Sequence, residues 1–125
     1  EVHGFEVIVS AVEDATRNAI RNGVGNAKFH VANLDNFFKF GVGKKYPKPD
    51  VIVVDPPRAG MHKFMANYLP KFGAEKIVYI SCNPTTQARD TEILHMNGYK
   101  LKHLTMVDMF PHTPHVETVG IFVKR

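Results

Sequence analysis

Val51-Ile52-Val53-Val54-Asp55-Pro56-Pro57-Arg58-Ala59-Gly60 decides how this chain is read. Four consecutive branched apolar residues with no polar alternate form a short strand covered on both faces, the mark of a parallel sheet. The run stops at an acid followed by two prolines, which restrict the backbone so that the Asp55 carboxylate is held at the strand tip. An acid and two prolines also make a plain turn, and this segment alone leaves the two readings equal.

Working outward, Val7-Ile8-Val9 and Ile77-Val78-Tyr79-Ile80 are apolar runs of the same kind, each followed by a helix-like stretch. Ser10-Ala11-Val12-Glu13 has the form of a capping box, with Ser10 bonding the amide of Glu13, and predicts a helix start at that point. Val12, Ala15, Ala19 and Ile20 share one helical face, and Asn22-Gly23 is a stop signal. Lys28 to Ala32 alternates weakly as a strand, and Gly41 to Pro49, rich in glycine, proline and lysine, reads as an exposed loop. Met61, Phe64, Met65, Tyr68 and Leu69 follow the spacing of a core-facing helix ended by Pro70. Asn83 as N-cap and Pro84 at the first helical position open another helix, which stops at Asn97-Gly98. Tyr99 to Val107 and Val116 to Lys124 read as two strands. Strand and helix alternate throughout, so the expectation is an open α/β sheet with right-handed crossovers around one core.

Composition sets the frame for those elements. Of 125 residues, 44% are hydrophobic and 22% charged, which suits a folded domain. No apolar run approaches the roughly 20 residues of a membrane span. The first residues lack the basic and apolar regions of a signal peptide, and a cytoplasmic location is expected. The formal charge of +4 fits a polyanionic partner. The lysines are scattered, however, and charge carries little weight. The single cysteine, Cys82, cannot form an internal disulfide, and by composition alone it is a small buried hydrophobe.

In open α/β sheets the ligand lies at the carboxyl ends of the strands, so the residues after each apolar run are the informative ones. Ser81-Cys82-Asn83-Pro84 sets Cys82 immediately before a helix N-terminus, where the positive end of the helix dipole favours a thiolate. An inert buried thiol is the bland alternative, and the Asn-Pro turn directly after it favours exposure. Asp108-Met109-Phe110-Pro111-His112-Thr113-Pro114-His115-Val116-Glu117 gathers two histidines and two acids around two prolines. His112 and His115 suggest a metal pair, but no further cysteine or clustered histidine completes a ligand set, and no metal is expected in this segment.

These segments together resemble the RNA uracil-5-methyltransferases, which make 5-methyluridine in transfer and ribosomal RNA. The likeness runs through Gly4-Phe5-Glu6, Asp14-Ala15, Asn18-Ala19, Asn22-Gly23, Asn33-Leu34, Asp55 to Gly60, Ser81 to Pro84, Ala88-Arg89-Asp90 and Phe110 to Glu117, nearly the whole chain. The proline-flanked aspartate is shared with base and protein N-methyltransferases; Cys82 and Glu117 in their flanking residues are the specific part. The resemblance implies a Rossmann-like S-adenosylmethionine-dependent fold with a mostly parallel sheet, and an RNA substrate, tRNA or rRNA. It implies that Glu6 holds the ribose hydroxyls of S-adenosylmethionine, that Asn33 and Asp55 complete the cofactor contacts, that Cys82 is the nucleophile and that Glu117 is the general base. It also places Val7-Ile8-Val9 in the turn after a strand rather than in one.

By the same resemblance, residues 1–125 are a partial catalytic domain, the C-terminal part of a longer protein. The family's first strand and glycine-rich turn are absent, which leaves the fold incomplete, with two halves of a core facing a gap. A preceding RNA-binding domain, in some members with a cysteine-bound iron–sulfur cluster, is implied outside these residues. Two other readings stay open: an N-methyltransferase that holds an amine at Asp55-Pro56-Pro57 with Cys82 a bystander, and a non-catalytic RNA-binding remnant. Against the remnant stands the presence of all five candidate residues, Glu6, Asn33, Asp55, Cys82 and Glu117. The expectation is that this chain alone binds S-adenosylmethionine weakly and is inactive. Calorimetric titration returning micromolar or tighter affinity for the isolated 125 residues would overturn it.

Overall fold

The computed structural model describes residues 1–34 and 45–125. They form two compact units, Glu1–Tyr46 and Pro47–Arg125.

In the first unit, strand β1 (Val2–Glu6), helix α1 (Val9–Arg21) and strand β2 (Ala27–Val31) follow in order. The strands are parallel, in register from Val2 opposite Ala27 to Glu6 opposite Val31. Val7-Ile8-Val9 is not a strand, as its apolar character had suggested; the chain turns at Glu6, where the resemblance placed the turn. The capping box does not form either. Ser10 lies inside the first helical turn, and Ile8, the N-cap, makes no side-chain bond. Glu6 takes over that role: its Oε1 accepts the amides of Val7 at 2.6 Å and Ile8 at 2.9 Å, placing negative charge at the positive end of the helix. Val12, Ala15 and Ala19 are half-buried as the spacing required, but Ile20 is 75% exposed. At roughly 100° per residue, Ile20 falls beyond the edge of the stripe, and Ala11 takes the flank in its place. His3, Phe5 and His30 cluster with Tyr46, and His3 Nδ1 lies 3.0 Å from His30 Nε2. The first residues of the loop expected over 41–49 lie outside those described; Pro47 to Pro49 carry neither helix nor strand.

The second unit contains β3 (Val51–Val54), α2 (Lys63–Tyr68), a 3-10 turn (Leu69–Phe72), β4 (Lys76–Ser81), α3 (Pro84–Met96), β5 (Tyr99–Val107) and β6 (Glu117–Lys124). The strand order is β3-β4-β6-β5. β3 and β4 are parallel, whereas β6 runs antiparallel to both β4 and β5. The sheet is therefore mixed where a mostly parallel one was expected: β5 and β6 are joined by a loop with no crossover helix and must return antiparallel.

Val54, Met61, Ala66, Leu69, Ala74, Ile77, Tyr79, Leu94, Tyr99 and Phe122 are buried and form the core. The expectation that β3 is covered on both faces fails for one of them. Val54 is buried, but Val51 and Val53, on the alternate face, are 46% and 63% exposed. In α2 the predicted core face is partly displaced: Met61 is buried but precedes the helix, and Phe64 is 41% exposed. Pro70 has no amide to donate to Ala66, so the α-helix ends and tightens into the 3-10 turn around it. Helix α3 matches its signals, with the Asn83 side chain accepting the Thr85 amide, Pro84 in the first turn and Asn97 as C-cap.

Two core tyrosines satisfy their hydroxyls internally. Tyr79 donates to Asp90 Oδ2 at 2.7 Å and Tyr99 to the Ala74 carbonyl at 2.6 Å. Burial pushes both phenols above their ordinary range, Tyr79 further because Asp90 accepts its proton and repels a phenolate. An unfolded tyrosine releases its proton at about pH 10, while these keep theirs, so above that pH the unfolded state holds fewer protons. Stability from this source is complete below about pH 10 and is lost as the pH rises through the folded-state values, over a wider range for Tyr79 than for Tyr99. Urea unfolding measured between about pH 9 and pH 12 is expected to show this decline, with Tyr79→Phe removing the larger part of it.

Candidate functional site

Three loops of the second unit leave the sheet at one end. β3 ends at Val54, and Asp55 follows, exposed. β4, parallel to it with Val54 opposite Tyr79, ends at Ser81 and is followed by Cys82, a half-buried free thiol. Asn83 then caps α3. β6 arrives antiparallel with Thr118 opposite Ser81, so Glu117, the first residue of β6 and half-buried, starts from the end of the sheet at which β4 stops before Cys82.

Short polar contacts shape the turn around the thiol. Ser81 Oγ accepts the Asn83 amide at 3.1 Å and donates to the Asn83 carbonyl at 3.0 Å. Thr118 Oγ1 donates to the Ser81 carbonyl at 3.2 Å. The loop before Glu117 is built on a tight turn at Phe110-Pro111-His112-Thr113. Its closing bond runs from the Thr113 amide to the Phe110 carbonyl at 3.2 Å, and His112 has a φ of 67°. Proline second and a left-handed residue third are the requirements of a type II turn. His115 beyond it accepts, through Nδ1, long contacts of 3.4 Å from the Arg58 guanidinium, tying this loop to the Asp55 loop. Among the described residues no group of three or more His, Cys, Asp or Glu side chains is placed to hold a metal ion.

The Asp55 loop is also fastened to α3. Asn83 Nδ2 and Thr86 Oγ1 both donate to the Arg58 carbonyl, at 3.2 and 3.3 Å. One Arg89 nitrogen donates to the carbonyls of Ala59 at 3.1 Å and Met61 at 3.2 Å. Asp90, fully buried, accepts four donors: the Met61 amide and the Tyr79 hydroxyl on Oδ2, both at 2.7 Å, and Arg89 Nε and Nη2 on Oδ1 at 2.9 and 2.7 Å. Asn83, Thr86 and Asp90 stand three and seven residues apart, one face of a helix. Ala88-Arg89-Asp90 carries part of the family resemblance with no task attached to it; the helical spacing from the Asn83 cap is the signal in the sequence that points to one. Gly60 is buried in this joint with a φ of 80°. A Cβ there would lie 2.6 Å from Arg89 Nη2 and 2.8 Å from Asp90 Oδ2.

The other two candidate residues belong to the first unit. Glu6 ends β1 and Asn33 follows β2, both exposed, and the Ala32 amide donates to the Glu6 carbonyl at 2.8 Å. The strand pairing thus brings Glu6 and Asn33 to the carboxyl end of one parallel pair, and the second sheet brings Asp55, Cys82 and Glu117 to one end of another.

The fold is that of the Rossmann-like methyltransferases. A putative methyltransferase of Thermoplasma acidophilum superposes with a TM-score of 0.70 over 98% of this chain and 56% of its own, a likeness of fold alone at 12% identity. The model of the tRNA (Uracil-5-)-methyltransferase family matches residues 4–125, and the chain belongs to that family. An uncharacterized RNA methyltransferase of Chlorobaculum tepidum is 47% identical over 122 residues, 97% of this chain and 25% of that protein. A second, from Bacteroides thetaiotaomicron, is 44% identical over 125 residues and is covered to 27%. The crystal structure of Pyrococcus abyssi tRNA (uracil-54, C5)-methyltransferase in complex with S-adenosyl-L-homocysteine shares 39% identity and a TM-score of 0.79, over 98% of this chain and 29% of that one. The chain thus spans about a quarter of the length of the curated relatives it matches.

Gly60→Ala is expected to lower stability by about 2 to 4 kcal/mol, since it adds left-handed strain to a collision with a buried, hydrogen-bonded carboxylate. Urea unfolding of Gly60→Ala beside Gly25→Ala checks it, because a Cβ on Gly25 meets nothing within 4 Å.

Proposed function

We propose that this chain carries the chemical centre of an enzyme that transfers a methyl group from S-adenosylmethionine to carbon 5 of a uridine in tRNA or rRNA. The observation that carries the reading is the antiparallel pairing of β4 and β6, which supports it by bringing the chain segments of Cys82 and Glu117 to one end of the sheet. Family membership supports the same conclusion, as does the likeness to the Pyrococcus abyssi enzyme, a tRNA (uracil-54, C5)-methyltransferase.

Carbon 5 of uracil is a weak nucleophile. Addition of the Cys82 Sγ thiolate to carbon 6 opens the 5,6 double bond and moves its electron pair through carbon 5 onto the carbonyl as an enolate, whose carbon 5 is nucleophilic. S-adenosylmethionine, when bound, supplies an electrophilic methyl on a sulfonium. Carbon 5 takes that methyl as its bond to the sulfonium breaks, the electron pair staying on a neutral thioether sulfur, and then bears both methyl and hydrogen. Glu117 removes that proton, the 5,6 double bond reforms, and the carbon 6 to sulfur bond breaks to release the Cys82 thiolate. The uridine has to leave its stack to present carbon 6 to a half-buried thiol.

The donor set fits the cofactor. Glu6 accepts the Val7 and Ile8 amides on Oε1, which orients the carboxylate and leaves Oε2 to accept ribose hydroxyl protons. Asn33 at the neighbouring strand end and Asp55 are assigned to the remaining contacts.

The complete gene product that carries this chain is expected to form a stable covalent adduct with RNA containing 5-fluorouridine, because fluorine at carbon 5 blocks the elimination. Cys82→Ala is expected to form none. With ordinary RNA, Glu117→Gln is expected to accumulate methylated adduct, elimination being slowed by about 10² to 10⁴. Adduct formation by Cys82→Ala at the wild-type level would refute the nucleophile assignment.

A further inference from the structure

We infer that the polar stripe Asn83, Thr86, Arg89 and Asp90 on α3 positions the Asp55 loop against the Cys82 thiol, so that α3 sets the reacting geometry as well as supporting the sheet; this rests on the reading of Cys82 as nucleophile. Helix α3 starts two residues after Cys82, so its first turns are rigidly connected to the thiol. The stripe holds the Asp55 loop at three successive points: the Arg58 carbonyl through Asn83 and Thr86, the Ala59 and Met61 carbonyls through Arg89, and the Met61 amide through Asp90. Residues 58–61 therefore cannot move relative to α3 without breaking bonds along the stripe, and Asp55 is joined to them through the two stiff residues Pro56 and Pro57.

Asp90 is the anchor. It is 0% exposed, so it meets neither substrate nor solvent and is a positioning residue. All four of its contacts are donors, from the Met61 amide, the Tyr79 hydroxyl and two Arg89 nitrogens. A carboxylate can satisfy all four, whereas the NH₂ of an amide would face donors on one side. Arg89 in turn spans Asp90 and the loop carbonyls, so the charge pair and the loop share one network. Displacement of a loop by about 1 Å is enough to cost about 100-fold in rate when the reacting groups depend on it.

The test separates positioning from folding. In the complete gene product, the adduct formed with 5-fluorouridine RNA counts competent sites by its final amplitude and reports their geometry by its rate constant. Asp90→Asn is expected to reach the wild-type amplitude per folded molecule with a rate constant about 100-fold lower. Thr86→Val, which removes the hydroxyl shared between the Arg58 and Asn83 carbonyls and keeps the side-chain shape, is expected to lose about tenfold, and it decides the matter if Asp90→Asn does not fold. A reduced amplitude with a per-site rate within about twofold of wild type would mean that the stripe only holds the fold, and would overturn the inference while leaving Cys82 in place. Absence of any adduct in the wild type would overturn the Cys82 reading and this inference with it.

Discussion

The arrangement of the second unit depends on a carboxylate with no access to water. Removing an ion from solvent costs several kcal/mol, which only a full set of donors offsets. Asp90 has that set, and each donor comes from an element that must be placed: Met61 from the Asp55 loop, Tyr79 from the middle of β4, and Arg89 from α3 itself. The contact is demanding in geometry because a missing donor leaves a buried charge uncompensated. It joins a core strand, a helix and a strand-end loop in one network.

Around that joint, ordinary secondary-structure chemistry places the reactive groups. The Asn83 cap starts α3 directly after Cys82, Ser81 and Thr118 tie the turn to the neighbouring strand, and β6 returns antiparallel so that its first residue, Glu117, lies at the end of the sheet where β4 stops. Mixed pairing is what makes this possible. A parallel neighbour would present the amino end of its chain at the opposite end of the sheet, whereas the antiparallel return brings the start of β6 to the end of β4. In the first unit a single carboxylate, Glu6, both stops the strand and starts the helix. That local duty orients the side chain assigned here to the cofactor.

Much of this was legible in the chain before folding. Val51 to Val54, Ile77 to Ile80, the Asn83-Pro84 helix start and the Asn97-Gly98 stop are local signals that act within a few residues, and each appears where the sequence placed it. Reading failed where apolar composition alone was the guide. Val7-Ile8-Val9 has strand composition, but the Glu6 carboxylate satisfies the next amides and turns the chain into α1. Phe64 follows core spacing, yet Met61 takes the buried position from outside the helix.

The sequence by itself determined the alternation of strand and helix, which follows from spacing along neighbouring residues, and its motifs carried the resemblance that pointed to the family and to the candidate residues. Tertiary structure alone decided that β6 starts at the end of the sheet where β4 stops and that the Asp55 loop is bound to α3 through Asp90. The pairing of β4 with β6 and the bond from the Met61 amide to Asp90 join residues 29 or more positions apart, and no local pattern encodes which of them will meet.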